Sequence, residues 1–490
     1  MHFIKTTLAI LISLLCYSSM WAQVEPMLPI KISGKIEVER CDSVRIRIHP
    51  YSISSNLRVL VKDTIMKTDN GYFEIGTESN HPIYMQIYPL IDARIKGYYS
   101  NFTGTAQMFV CEPNDSVFIN IDDKTMRASG RGQDKYNLIA DLWKYSYYAY
   151  GMLITRPTKL QTDEEVEAIG KGQEAIFAVK SSLLESRKYL LSDDIYRLMK
   201  MELEMEFMGI ELYALSTALS NLSVNHLQDI SKIRAIKKFK QKYLTPISYV
   251  EKDTNLYRYS SLYSHTLFNQ LAWRNKLREP SYWEPIDLEE LFELIVHNYS
   301  GILRDRLLVD FISTLKGNYD VEPYLDRAAG LVSDPEFAKI MDKLGYLRTG
   351  KKVTFFSMPD SSGRYWSLDD FRGKYTLIDL WYTGCIGCIQ LARAMTKDIA
   401  RWQDDPRFQM VSISIDSSKD KWLQSLRGGK YTHPGSINLR TEELGGLHPF
   451  IKSYDIGTFP TLMLIDPDGK LLHIGVQSDK QVRAILDRVM

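Results

Sequence analysis

Two cysteines, Cys385 and Cys388, stand three positions apart between an apolar run at 377–381 and a segment of helical periodicity. Cysteines at this spacing fall on one turn of a helix, close enough to form a small disulfide. The first of them would lie at the helix start, where unpaired backbone N–H groups and the helix dipole stabilise a negatively charged sulfur. A thiolate is the nucleophile of thiol–disulfide exchange, so the pair predicts a redox site.

Two other interpretations of the pair are a zinc site and a purely structural disulfide. Zinc requires two further ligands at close spacing. The other cysteines expected in the mature chain, Cys41 and Cys111, lie far upstream, and no pair of histidines lies near Cys385. Redox exchange is therefore the favoured interpretation, and it requires no metal or organic cofactor.

Length and charge set the broad class of the protein. A chain of 490 residues exceeds the size at which a single hydrophobic core stops growing, so more than one domain is expected. Lys and Arg number 61 against 60 Asp and Glu, so the charge indicates no nucleic acid partner. Nothing in these quantities indicates an oligomeric state.

Residues 1–22 have the pattern of a signal peptide that is cleaved near Ala22, with Lys5 before an apolar stretch. That stretch is shorter than the roughly 20 residues that span a bilayer. The alternative is a lipid anchor on Cys16, although Leu15 is larger than the residue that usually precedes a lipid-modified cysteine. We therefore expect export to the periplasm or cell envelope, where disulfides persist.

The periodicity of the apolar residues changes twice along the chain. Residues 24–130 alternate apolar and polar positions, which predicts a β-sandwich-like domain. Residues 131–346 have helical periodicity, which predicts an α-helical middle region. Residues 350–490 alternate strands with helices, which predicts an α/β domain. The chain is thus expected to be multidomain.

Local signals refine this division. Asn70-Gly71 predicts a hairpin turn between two strands, because Asn-Gly accepts positive φ. Asp334-Pro335 predicts the start of a helix that ends near Gly345. Cys41 and Cys111 both fall in the β-rich region, and a structural disulfide between them is left open, because the sequence does not show whether their Cα atoms approach.

The C-terminal region resembles the thioredoxin superfamily, and within it the TlpA/ResA-like exported thiol-disulfide oxidoreductases. The resemblance covers roughly the last 140 residues. It rests on the order and spacing of short segments at 356–360, 366–374, 378–381, 385–388, 454–461 and 464–470. It implies a thioredoxin-like fold and reversible dithiol–disulfide exchange. The upstream layout is similar to that of TlpA-like proteins with long N-terminal extensions.

The resemblance also implies roles for individual residues. Cys385 matches the exposed cysteine that attacks a partner disulfide, and Cys388 matches the cysteine that resolves the mixed disulfide. Pro460 matches a cis-proline that faces the cysteines and leaves the preceding backbone free to pair with a substrate. Phe459 and Trp381 are assigned to the same substrate-binding surface.

Asp379 lies six positions before Cys385 and matches the buried acid of thioredoxin. A carboxyl group in an apolar strand resists ionisation, so its pKa should be raised. It could then accept the proton of Cys388 as that thiol attacks. The alternative is a structural acid that is hydrogen-bonded to the backbone.

The residues around the cysteines depart from the pattern of many relatives, which carry Trp-Cys-x-Pro-Cys. Here Gly384 stands in place of the tryptophan before the pair, and Gly387 stands in place of the proline. Without the tryptophan an aromatic shield is missing, so Cys385 is expected to be more exposed. Neither Ile386 nor Gly387 offers a charge or a side-chain hydrogen bond to the thiolate, and this favours a reductase or an isomerase-like role over a strong oxidase. Peroxiredoxins share this fold, but they need a proline and a threonine or serine at fixed positions before the reactive cysteine. Here Thr383 lies only two positions before Cys385 and no proline precedes it in the loop, so peroxidase chemistry is disfavoured.

The favoured function is therefore the reduction of disulfides in a client protein. The resemblance implies a membrane thiol donor as the electron source, and apocytochrome c, in cytochrome c maturation, or misoxidised envelope proteins as clients. A disulfide oxidase of the same fold is one alternative. The other is an envelope binding or scaffold protein in which the thioredoxin-like unit is accessory.

Overall fold

A computed structural model of the chain describes residues 26–38, 41–49, 62–91, 94–95, 109–122, 125–154, 163–221, 237, 241, 244, 255–277, 285–316, 319–345, 348–476 and 479–490. The expected signal peptide and Cys16 lie outside the described residues. The chain divides into two compact units, residues 1–50 with 63–147, and residues 51–62 with 148–490. The division into three domains stays a prediction. None of the described helices is long and apolar enough to cross a membrane.

The first unit is built from two sheets. Its strands are β1 (Leu28–Ile36), β2 (Ser43–His49), β3 (Lys62–Lys67), β4 (Tyr72–Ser79), β5 (Ile83–Ile91), β6 (Arg94–Ile95), β7 (Phe109–Cys111), β8 (Ser116–Ile121) and β9 (Met126–Arg131). One sheet has the order β4-β1-β8-β9; the other has the order β3-β2-β5-β6, with β7 paired to β5. Both sheets supply side chains to one apolar cluster, which explains the alternation of polar and apolar residues.

The turn at Asn70-Gly71 forms, but the expected hairpin does not. Both residues have positive φ, 51° and 83°, and Asp69 and Tyr72 exchange two backbone hydrogen bonds across them. However, β3 pairs with β2 whereas β4 pairs with β1, so the turn connects strands of different sheets. The backbone N–H of Ile36 donates to the carbonyl of Gly71, which attaches the turn to the end of β1.

Cys41 and Cys111 are not joined in a disulfide. Each thiol lies against a carbonyl of its own neighbourhood: Cys41 Sγ donates to the carbonyl of Ser43 at 3.3 Å, and Cys111 Sγ to that of Phe109 at 3.7 Å. Burial of Cys111 raises the pKa of its thiol to about 12, which leaves it protonated and unreactive.

Helices occupy the described part of the middle region. They are α1 (Gln133–Ile154), α2 (Asp163–Arg187), α3 (Asp193–Asn221), α4 (Leu256–Tyr259), α5 (Ser261–Lys276), α6 (Leu288–Asn298), α7 (Gly301–Leu315), α8 (Leu325–Leu331) and α9 (Pro335–Leu344). The predicted start of α9 is confirmed, because the Asp334 carboxylate accepts hydrogen bonds from the backbone N–H groups of Glu336 and Phe337.

The C-terminal region forms a five-stranded mixed sheet, a separate two-stranded sheet of β10 and β11, and helices. The strands of this region are β10 (Ser357–Pro359), β11 (Tyr365–Ser367), β12 (Tyr375–Trp381), β13 (Phe408–Ser414), β14 (Ile437–Arg440), β15 (Thr461–Ile465) and β16 (Leu471–Val476). Its helices are α10 (Ile386–Trp402), α11 (Lys419–Arg427), α12 (Pro449–Ser453) and α13 (Asp479–Val489). The sheet order is β14-β13-β12-β15-β16, with β12 to β14 parallel and β15 and β16 antiparallel.

The central strand β12 is buried on both faces. Ile378 and Leu380 contribute to one apolar cluster, whereas Leu377 contributes to another, which also contains side chains of α10 and α13. Successive residues of a strand point to opposite faces, so Asp379 and Trp381 lie on the α10 face with Leu377. The strand ends at Trp381, and α10 begins five residues later with the cysteine pair at its start.

Strands β1 and β8 approach each other closely at Gly34, and a substitution there tests the packing of the first unit. A Cβ atom on Gly34 of β1 would lie 2.4 Å from the carbonyl oxygen of Ile119, whereas one on Gly76 of β4 would meet nothing within 4 Å. We expect Gly34→Ala to lower the free energy of unfolding by about 2 kcal/mol. The matched Gly76→Ala should change it by less than about 0.5 kcal/mol. Urea unfolding of both variants provides the measurement, and equal values would contradict the close packing.

Candidate active site

The structure brings the two predicted cysteines together as a disulfide. Cys385 and Cys388 are joined by an S–S bond of 1.99 Å, with their Cα atoms 5.3 Å apart. Cys385 is the N-cap residue of α10, and its Sγ accepts a hydrogen bond of 3.0 Å from the backbone N–H of Cys388. In the reduced state the same N–H and the helix dipole would stabilise a thiolate on Cys385.

The expected exposure of Cys385 is wrong for this disulfide state, in which the residue is only 4% exposed. Both cysteines belong to a buried cluster with Trp381, Trp422 and Tyr431. Trp422 comes from α11, and Tyr431 follows that helix. Because these aromatic side chains supply the shield that Gly384 lacks, the loss of an aromatic residue next to the pair does not expose it.

Trp381 packs under the loop that leads to Cys385. Its indole is fully buried, stacks on the ring of Tyr431 at 4.6 Å between centroids, and donates from Nε1 to Ser412 Oγ at 2.7 Å. Tyr431 Oη in turn accepts a hydrogen bond of 2.9 Å from the backbone N–H of Gly384. A fully buried indole has no surface to offer a client, so the expected substrate-binding role of Trp381 is replaced by a packing role.

A carboxylate that was not predicted holds the other side of the loop. Asp416, just after β13, accepts hydrogen bonds from Thr383 at its backbone N–H, 3.1 Å, and its Oγ1, 2.7 Å. Ser414 Oγ also donates to it at 2.9 Å, and Lys421 Nζ lies 3.3 Å from its second oxygen. The residue two positions before Cys385 is thereby fixed by charge-assisted bonds.

The position of Asp416 carries a signal that the sequence interpretation missed. It is a polar residue two positions after the end of an apolar strand, and β13 runs parallel to β12. Parallel strands end at the same edge of a sheet, so Asp416 had to lie near the loop after Trp381. By contrast, the covering role of Trp422 and Tyr431 depends on packing between segments that are distant in sequence and has no comparable local signal.

The proline loop lies against the same cluster. The peptide bond between Phe459 and Pro460 is cis, as expected. The half-buried Phe459 packs against the cysteine cluster and meets the ring of Tyr382 edge-on, with centroids 5.6 Å apart. Tyr382 is 40% exposed and Ile386 is 72% exposed, so the disulfide is bordered by apolar side chains that are open to a partner.

Asp379 is buried on the α10 side of β12. Desolvation raises the pKa of its carboxyl from 3.8 to about 7. Its Oδ1 has no hydrogen-bond partner among the residues that the structure describes. A carboxyl that served only to cap backbone groups would have such partners, so the environment fits a group that takes up and releases a proton near neutral pH.

The raised pKa makes stability depend on pH. Because the folded state binds the proton of Asp379 more tightly than the unfolded chain does, this stabilisation is complete below about pH 4 and is lost as the pH rises through about 7. The loss amounts to roughly 4 kcal/mol, since each tenfold change in proton affinity is worth about 1.4 kcal/mol. Asp379→Asn should lack this loss in urea unfolding of the oxidised protein between pH 4.5 and 8.5. Parallel pH profiles of wild type and variant would contradict the raised pKa.

The hydrogen bonds of Thr383 predict a second effect on stability. Thr383→Val keeps the shape but removes one of the two hydroxyl donors to the buried Asp416 carboxylate, so unfolding should become easier by about 2 kcal/mol. The matched control is Thr396→Val, because the exposed Thr396 hydroxyl donates only to a carbonyl of its own helix. Thermal unfolding measures both variants. Equal losses would show that Asp416 does not depend on Thr383.

Comparisons with known proteins agree with this geometry. Residues 349–474 match the model of the AhpC/TSA family. The thiol-disulfide oxidoreductase ResA of Bacillus cereus is 23% identical over 145 residues, which are 29% of this chain and 79% of that protein. The thioredoxin-like protein YneN of Bacillus subtilis is 25% identical over 143 residues, 29% of this chain and 80% of that protein.

Solved structures similar to this chain include the thioredoxin domain of a thiol-disulfide oxidoreductase from Bacteroides vulgatus. The two sequences are 26% identical, the match covers 29% of this chain and 99% of the solved one, and the TM-score is 0.27. The family model spans the region that carries Cys385 and Cys388. The C-terminal region of the chain therefore contains a thioredoxin-like domain that matches the AhpC/TSA family model, and it is similar to proteins named thiol-disulfide oxidoreductases.

Proposed function

We propose that the protein is an exported oxidoreductase that reduces disulfides in other proteins through Cys385 and Cys388. The observation that carries the proposal is the position of Cys385. It is the N-cap residue of α10, and its Sγ accepts a hydrogen bond from the backbone N–H of Cys388. Exposed apolar side chains lie next to it. A helix N-terminus lowers the pKa of a thiol that lies there, and a lowered pKa supplies the nucleophile at neutral pH.

The first step is attack on the client. The Cys385 thiolate attacks one sulfur of the client disulfide; a new S–S bond forms between protein and client, and the client S–S bond breaks. The second client sulfur leaves as a thiolate and takes a proton from water. Phe459 and Ile386 border the disulfide, and together with Pro460 they would hold the client segment during this step.

The second step releases the client. Cys388 loses its proton to the Asp379 carboxylate, and the resulting thiolate attacks Cys385 Sγ. The Cys385–Cys388 bond seen in the structure forms, the S–S bond to the client breaks, and the client sulfur leaves as a thiolate that takes a proton from water. A carboxyl with a pKa of about 7 suits this transfer, because it accepts a proton at neutral pH and releases it again. In total, two electrons pass from the two cysteines to the client.

The oxidised pair must then be reduced again. In an oxidising envelope the two electrons would come from a membrane thiol donor. Apocytochrome c and misoxidised envelope proteins are the proposed clients. Export is supported by the charged and apolar pattern of residues 1–22, which ends in the small residue Ala22.

The direction of transfer is proposed from the residues between the cysteines. Ile386 is apolar and Gly387 has no side chain, so neither offers a side-chain hydrogen bond or a charge that would further stabilise the reduced thiolate. Strong stabilisation of the reduced form is what makes a thiol pair an oxidant. The lack of it favours a reductase.

The equilibrium reduction potential of Cys385 and Cys388 tests this direction. We expect a value near that of thioredoxin, about −270 mV, in a redox titration of the full mature chain. A value near −120 mV would assign the protein to the oxidases instead. Failure of the two cysteines to form a reversible disulfide would favour the binding or scaffold alternative.

The order of the two cysteines has its own test. Cys388→Ser should accumulate a mixed disulfide with an added disulfide-bonded protein, because the resolving thiol is missing. Cys385→Ser should trap at least tenfold less, since the buried Cys388 lacks the N-cap position. Non-reducing electrophoresis of the two variants gives the comparison. Equal trapping would contradict the assignment of Cys385 as the nucleophile.

A further inference from the structure

The end of α7 lies against the thioredoxin-like region. Ten residues of this helix are buried, so its position is fixed by packing on both sides. Lys316 follows the last residue of α7, and its backbone N–H still donates to the carbonyl of Ile312 at 3.0 Å. The Lys316 ammonium group is therefore placed by a rigid element of the helical region.

The partner of Lys316 is Asp455, which stands five positions before Pro460. Lys316 Nζ lies 2.9 Å from Asp455 Oδ2, and the Asp455 side chain has no exposed surface. Asp455 has a φ of 49°, a left-handed conformation at the end of α12. The pair thus joins two regions of the chain at the point where the backbone turns towards the proline loop.

A charge of the same region acts on the other side of that loop. Pro460 is followed at once by β15, in which Leu464 pairs with His473 of β16. Burial lowers the pKa of the His473 imidazole, and the charge of Asp320 opposes this effect. Asp320 comes four residues after Lys316, so the end of the helical region contacts the segment before the proline loop through Lys316 and acts electrostatically on the sheet after it.

We propose that the helical region positions the cis-proline loop for client binding, with Lys316 as the positioning residue. The inference rests on the proposed exchange reaction and gives the upstream helices a part in it. Removing one partner of a buried ion pair leaves an uncompensated charge, and the structure around it must rearrange. The loop between Asp455 and Phe459 would move. The cysteine pair would not, because Asp416 and Tyr431 hold the two residues just before it, Thr383 and Gly384.

Lys316→Met tests the proposal in the full-length reduced protein. Met fills a similar volume without the charge. We expect the rate of exchange with a disulfide-bonded protein to fall roughly tenfold, because displacement of a binding surface slows a reaction that depends on orientation. The rate with a small aromatic disulfide, which needs no docking, should stay within about twofold, and the reduction potential should be unchanged.

Two variants accompany it. Lys316→Arg keeps the charge and should restore the rate with the protein substrate. Lys452→Met removes an exposed lysine from α12, close to Asp455 in sequence, and should have no effect. Asp455→Asn approaches the pair from the other side and tolerates positive φ, so it should slow the protein substrate in the same selective way.

The outcomes separate this inference from the exchange reaction itself. Unchanged rates in Lys316→Met would overturn the positioning role, and so would an equal loss with both substrates. If the wild-type chain exchanged with neither substrate, the proposed function would fail. Amide hydrogen exchange at residues 456–459 would then decide on Lys316: faster exchange in Lys316→Met supports the positioning role, and unchanged exchange overturns it.

Discussion

The C-terminal region depends on a single strand, β12, which is hydrogen-bonded along both edges and covered on both faces. Such a strand cannot shift by one residue without turning its apolar side chains out of the core. The position of Asp379 within it and of Cys385 just after it are therefore set together. The proposed chemistry of the site depends on this constraint, because β12 contains Asp379 and leads directly into the loop that ends at Cys385.

The two groups of the site lie in different surroundings. Asp379 lies inside the sheet layer, where desolvation disfavours the charged carboxylate. Cys385 lies where the helix begins, and in the reduced state an N–H group and the helix dipole there would favour a negative sulfur. The acid that holds its proton near neutral pH and the sulfur at the helix start are separated by only a few residues of chain.

Much of this arrangement could be predicted from the sequence. The cysteine pair, the strand before it, the helix after it and the cis bond at Pro460 all carry local signals, either as spacing or as family resemblance. Asp416 carried a weaker signal, as a polar residue at the end of a parallel strand. The roles of Trp422 and Tyr431 could not be predicted, because they depend on which distant segment packs over the disulfide. The different sheets chosen by β3 and β4 likewise reflect long-range pairing, which the turn at Asn70-Gly71 does not determine.

The placement of Trp381 and Trp422 in one cluster with the disulfide has an optical consequence. An S–S bond quenches the fluorescence of an indole beside it, whereas two thiols quench it less. The protein therefore contains its own reporter of oxidation state. Its emission should rise on reduction without any added label, which makes the turnover of the site visible in real time.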